Sequence, residues 1–180
     1  MKFFFLLLFL FVSVGFSQDV ERDIQMIRQE YGNIESSFNN FEKKTVSIMN
    51  QSTEGGEATA YIKSNRIKKV NTILLGETGK DVFVFYYKDD SLFFVLSTRH
   101  HYNVPIYWDA KTAEEYEVDE VFDESKTKIE ENRYYFKDNE IIKWLGNDEK
   151  PIRTTPEVYE KEAQILVELS NELKQEITEY

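Results

Sequence analysis

Val82-Phe83-Val84-Phe85-Tyr86-Tyr87-Lys88-Asp89-Asp90-Ser91-Leu92-Phe93-Phe94-Val95-Leu96 is the stretch whose reading decides the fold. Two apolar runs flank a Lys-Asp-Asp-Ser turn. Asp tolerates the positive φ that tight hairpin turns demand, so the stretch predicts a β-hairpin. A half-exposed antiparallel strand alternates apolar and polar residues. These two strands are apolar at every position, so both of their faces need cover.

The turn pattern recurs on either side. Ile62-Lys63-Ser64-Asn65-Arg66-Ile67 and Phe136-Lys137-Asp138-Asn139-Glu140-Ile141 repeat the order apolar, Lys, two small polar residues, polar, apolar. Tyr61, Tyr86 and Tyr135 stand just before the three copies. Residues 107–118 are the place for a degenerate further copy, although they do not align with the three. Gly55-Gly56 and Gly76-Glu77-Thr78-Gly79 supply turns between successive strands. The pattern predicts an antiparallel meander of six to eight strands over 45–145, forming a curved sheet or a partial barrel.

The flanks change period. From Asp19 onward, Val20, Ile24, Ile27, Tyr31, Ile34, Phe38 and Phe41 recur at spacings of four and three, which predicts an amphipathic helix over 19–42. Gly32 inside it costs about 1 kcal/mol relative to Ala and marks a place for a bend. After Thr155-Pro156-Glu157, a cap with proline at the first helical position, Tyr159, Ala163, Leu166, Leu169, Leu173 and Ile177 predict a second helix over 156–179. The fold class is α+β, one domain spanning 18–180. Both helices are expected on one face of the meander. The other face would close on itself or meet a ligand.

The first 17 residues stand apart. Lys2, the apolar run from Phe3 to Val12 and the small residues Gly15 and Ser17 have the three parts of a secretory signal peptide. The run is shorter than the roughly 20 residues of a membrane span. Cleavage between Ser17 and Gln18 is therefore expected, with no membrane span afterwards. The 180-residue chain has no Cys, so no lipidated cysteine and no disulfide framework is available. Export without cysteines fits the periplasm or exterior of a Gram-negative bacterium.

Composition removes several function classes. Lys and Arg number 22 against 33 Asp and Glu, a formal charge of −11, which opposes general nucleic-acid binding. No phosphate loop, serine elbow or paired-carboxylate spacing appears. His100 and His101 are the only histidines. Adjacent strand residues point to opposite faces, so the pair cannot chelate one ion; the readings are a structural or surface role, or one ring as a general base. Asp109 to Glu124 holds eight acids against Lys111, without the spacing of a calcium loop. It reads as a solvated acidic loop or short helix whose functional use is to dock a basic partner. No cofactor or metal is expected.

Glu54-Gly55-Gly56-Glu57 with Tyr61, Gly76-Glu77-Thr78-Gly79-Lys80, Tyr86-Tyr87-Lys88, Leu92-Phe93-Phe94-Val95 and Arg133-Tyr134-Tyr135-Phe136 with Ile141 and Trp144 form a recognisable set. Over about residues 50–146 the chain resembles small exported proteins of Gram-negative bacteria that carry repeated tyrosine-rich hairpins. The resemblance implies an α+β meander and no activity. The functional expectation is a monomeric, non-enzymatic binding module for a protein, glycan or amphiphile. Its ligand would meet an aromatic face of Tyr86, Phe94, His100, Tyr102, Tyr107 and Trp108. Two alternatives stand beside it: a periplasmic carrier holding an amphiphile in a cavity behind the sheet, and a hydrolase with a histidine base.

Overall fold

The computed structural model describes residues 2–179, with side chains for residues 19–179 other than Phe38. The helices are α1 (Lys2–Ser37), α2 (Ala110–Glu115) and α3 (Pro156–Glu179). The strands are β1 (Glu42–Ile48), β2 (Gly56–Lys63), β3 (Arg66–Gly76), β4 (Gly79–Lys88), β5 (Ser91–His101), β6 (Lys128–Lys137) and β7 (Glu140–Leu145). Seven strands form one sheet in the order of the chain, every neighbouring pair antiparallel. It is open, with β1 and β7 as its edges, so no barrel forms.

The three repeated turns share one conformation. Both central residues take positive φ in each: Ser64 and Asn65, Asp89 and Asp90, Asp138 and Asn139. Two consecutive left-handed residues define the turn whose twist matches that of paired strands. Each hairpin also carries a register shift just after its tyrosine, between Tyr61 and Ile62, Tyr86 and Tyr87, and Tyr135 and Phe136. The shift places one extra residue on the returning strand: Lys68, Phe93 or Ile142. It aligns a row across one face, Lys43–Tyr61–Lys69–Tyr86–Phe94–Tyr135–Lys143.

The helices lie on opposite faces, which corrects the expectation that both would share one. Phe83, Phe85, Tyr87 and Val95 pack with Leu166, Leu173 and Ile177 of α3. Tyr86, Phe93, Phe94 and Tyr135 pack with Ile24, Ile27 and Ile34 of α1. A hairpin apolar on both sides needs an apolar partner on each, and one helix stripe covers one side of a sheet. The result is a helix–sheet–helix sandwich.

α1 is also bounded differently from the predicted helix. It ends at Ser37, a short 3-10 turn follows at Phe38–Asn40, and β1 begins at Glu42 rather than near residue 45. Gly32 does not interrupt it. Phe41 leaves the helix yet stays buried in the same cluster. α1 runs on through the cleavage position expected at Ser17/Gln18, and among the described side chains Val20 is the first that packs against the sheet. The side chains of the leader itself lie outside those described. Residues 107–118 contain α2, a helical turn, in place of a further hairpin. Among the described residues, no helix is long and apolar enough to cross a membrane.

The lysine repeated in each hairpin has a common use. Lys137 Nζ lies 2.6 Å from Asp23 Oδ2, Lys88 Nζ 3.4 Å from Glu30 Oε2, and Lys63 Nζ 5.3 Å from the centre of the Phe41 ring. The three turns thus hold the N-terminal segment as it crosses the sheet from β6 toward β2. Farther in, Lys69 and the Tyr86 hydroxyl both donate to Glu35 Oε1, at 2.7 and 3.0 Å.

Candidate interaction site

The link between β5 and β6, Tyr102 to Thr127, is the longest irregular stretch, and its polar side chains fold it onto itself. Asp109 caps α2 by accepting from the Thr112 backbone N–H at 2.8 Å. Asp123 accepts from the Ser125 N–H at 2.9 Å and its own N–H donates to Asn103 Oδ1 at 3.0 Å. Asn103 Nδ2 donates to the Val121 carbonyl at 2.9 Å and to Glu120 at 3.1 Å, so one amide ties both ends of the link. Trp108 stacks on Tyr116 with ring centres 5.7 Å apart, and Tyr102 meets Phe122 edge-on at 5.2 Å. The link is fastened to the β3–β4 turn by Tyr102 N–H to the Thr78 carbonyl and Ile106 N–H to the Glu77 carbonyl, each 2.9 Å.

Donors facing the carboxylates favour their charged form. Backbone and hydroxyl bonds from Thr112 hold Asp109 below the usual carboxylate range, and those from Ser125 do the same for Asp123. Asn103 and then Lys126 lower Glu120. Among the described residues, the side chains of Glu114, Glu115, Glu117, Asp119 and Glu124 have no hydrogen-bond or ion-pair partner, whereas Glu120 and Asp123 do. Their carboxylates do not converge: among the described residues, no group of three or more candidate ligands could hold a metal ion.

Apolar exposure gathers at the same end. Ile106, Tyr107, Tyr116, Val118 and Val121 of the link are exposed, together with Ile73, Leu75 and Ile129 on the adjoining strands. Of the other large exposed apolar side chains, Met49 lies at the same end, in the β1–β2 turn, while Met26, Tyr31, Val158 and Ile165 are on the two long helices. One pole of the molecule therefore combines clustered apolar side chains with a dense negative charge.

The six residues expected to line a ligand face divide into two groups. Tyr86 and Phe94 are 2% and 6% exposed, covered by Tyr31 of α1, whose ring centre lies 5.1 Å from Tyr86 and 5.5 Å from Phe94. The face expected to be free at these two positions is occupied by the chain itself. His100, Tyr102, Tyr107 and Trp108 lie at the pole, from the end of β5 into the link. Tyr107 is exposed and its hydroxyl donates to Glu77 Oε2 at 3.4 Å. The residues missed are Ile106, Tyr116, Val118 and Val121. Tyr116, Val118 and Val121 were visible as apolar interruptions of the acidic run, whereas Ile106, ahead of it, carried no such signal.

Among the described residues, neither histidine is hydrogen-bonded to a carboxylate. Burial and then the Lys80 charge push His100 below its ordinary value. His101 Nε2 is 4.0 Å from Glu130, with both side chains more than half exposed. That separation is beyond hydrogen-bond reach.

Fold and site together define an open antiparallel meander clasped between two helices, with an acidic, aromatic link at one pole. Compared with known proteins, the chain matches no family model, no curated protein and no solved structure.

Proposed function

We propose that this protein is an exported binding module that recognises a protein partner through the pole built by the β3–β4 turn and the β5–β6 link. The observation that carries the reading is the concentration of exposed apolar side chains there beside unpaired carboxylates. Isolated exposed apolar residues are ordinary, whereas a contiguous set rimmed by polar groups marks an interaction surface. Aromatic anchors among charges are the composition from which such surfaces draw affinity and specificity. The negative rim selects a basic partner.

Export to the periplasm or exterior rests on the leader, whose removal before Gln18 leaves every described packing residue of α1 in place. The carrier reading draws less support. Phe85, Tyr87 and Val95 meet Leu166 and Leu173 directly behind the central hairpin. A groove of about 600 Å³ lies between β7 and the start of α3, open to solvent and lined by Ile141, Tyr159 and Val167. The hydrolase reading draws none from the histidine geometry.

A photo-crosslinking amino acid placed at Tyr107, and separately at Val158 on the outer side of α3, tests the binding reading in the source cell. A discrete crosslinked protein from position 107 and none from 158 is the expected outcome. Crosslinks absent at both sites, or the same at both, would overturn it. N-terminal sequencing of the exported protein checks the leader: Gln18 is expected first, and an intact N-terminus would contradict export by cleavage.

A further inference from the structure

α1 covers only part of its side of the sheet. It lies over the row containing Tyr86, Phe94 and Tyr135, near the hairpin turns. Side chains two residues apart along a strand share a face and stand about 6.7 Å apart. The next rows on this face are therefore Asn71–Val84–Leu96–Arg133, then Ile73–Val82–Thr98–Glu131, then Leu75–Lys80–His100–Ile129. Val84 and Leu96 are partly covered by α1, whereas Ile73 and Leu75 are each 42% exposed and Ile129 56%.

We infer that this bare half of the face is the seat of one amphipathic helix from the partner, lying beside α1 with an apolar stripe on Ile73, Val82 and Leu96 and basic residues toward the β5–β6 link. The inference rests on the binding reading above and names the partner's chemistry. Three observations carry it. The first is room: strands of ten or eleven residues run about 35 Å, and a packed helix occupies about 10 Å of that length. A helix axis about 10 Å from α1 falls between the Val84 and Val82 rows. The second is precedent within the molecule, because the same face already receives the three-and-four-spaced stripe Ile24, Ile27, Tyr31 and Ile34 of α1. The third is charge. The link fastened at the foot of this face carries eight acids against Lys111 between Asp109 and Glu124, with Glu57, Glu77 and Glu131 near it. Lys80 and Arg133 are the cations on the bare rows, and Arg133 is already paired with Glu131 at 2.6 Å. A second copy of this chain would bring two acidic links together, and like charge opposes that pairing.

The test uses the leader-cleaved protein and three synthetic peptides of about five helical turns. One has Leu at helical stripe spacing and Lys elsewhere, one is its scrambled form, and one has Glu in place of Lys. Methyl NMR reports where each binds. The Leu/Lys peptide is expected to bind and to shift the methyl signals of Ile73, Val82 and Leu96, with affinity falling as salt is raised past about 0.1 M. Ile73→Glu is expected to weaken binding about tenfold, equivalent to ~1.4 kcal/mol. Leu75→Glu, at another exposed position, gives the same readout should the first variant fold poorly. The proposal is overturned if the scrambled or acidic peptide binds as well, if the shifts map away from these methyls, or if the face is closed by concentration-dependent dimerisation. Should it fail while crosslinks from position 107 persist, the binding reading stands and only the helix-seat proposal falls.

Discussion

Single hydroxyl groups set how the core tolerates alkali. Tyr87 lies wholly inside and shares a 2.8 Å hydrogen bond with Ser170; Tyr134 donates to Glu162 at 2.8 Å and Tyr86 to Glu35. Burial pushes all three hydroxyls well above the ordinary tyrosine value, and the carboxylates of Glu35 and Glu162 raise Tyr86 and Tyr134 further. A group whose value is raised on folding contributes stability that is intact below its unfolded value and lost as pH climbs past it. For tyrosine that begins at about pH 10. Spectrophotometric titration should show these three ionising only as the fold is lost, in step with loss of circular dichroism. Smooth ionisation of every tyrosine with the fold intact would contradict the packing. The tyrosines were legible in the sequence as the mark of each hairpin, but their partners were not, because Glu35, Glu162 and Ser170 sit in segments far along the chain.

At the scale of elements, the hairpins were the most readable feature. Asn65, Asp90 and Asn139 occupy left-handed positions that few other residues take cheaply, so local chemistry alone marks the turns. The helices were readable as amphipathic stripes, and only their side was not. An apolar stripe says that a helix must pack, and it does not say on which face of a sheet. The repeated lysine was the unread clue, since Lys88 and Lys137 stand where α1 supplies Glu30 and Asp23. α2 was readable only as the short-helix alternative for the acidic stretch, because six residues with a single buried member, Ala113, carry no period. Glycine has a sharper role than turn-making. A Cβ on Gly79 would collide with the His100 carbonyl of the neighbouring strand, and one on Gly56 with that of Ile73. Gly79→Ala is therefore expected to destabilise the domain by about 2 kcal/mol through forced backbone displacement. Denaturant unfolding measures this, and a variant as stable as the parent would show that β4 and β5 approach less closely at that point.

For the molecule as a whole, the sandwich explains how a chain without disulfides keeps a seven-stranded sheet in one piece: each helix packs across several strands, α3 on one face and α1 on the turn end of the other. It also separates the molecule into two ends. The turn end is closed by α1 and its lysine contacts, and the opposite end carries the exposed aromatics and acids. Of the residues expected on a ligand face, His100 to Trp108 lie at that open end, while Tyr86 and Phe94 belong to the closed one. The difference arises because the sequence displays apolar positions without displaying which of them the chain itself will cover. The binding claim is tested most directly by isolating the protein with its partners from the source cell, as the parent chain and as Ile106→Ser/Tyr107→Ser, two exposed side chains whose loss should leave the thermal midpoint unchanged. Retention of a basic protein by the parent and its loss from the equally stable variant is the result predicted. The same partners on both, or none on either, would contradict a recognition surface at this pole.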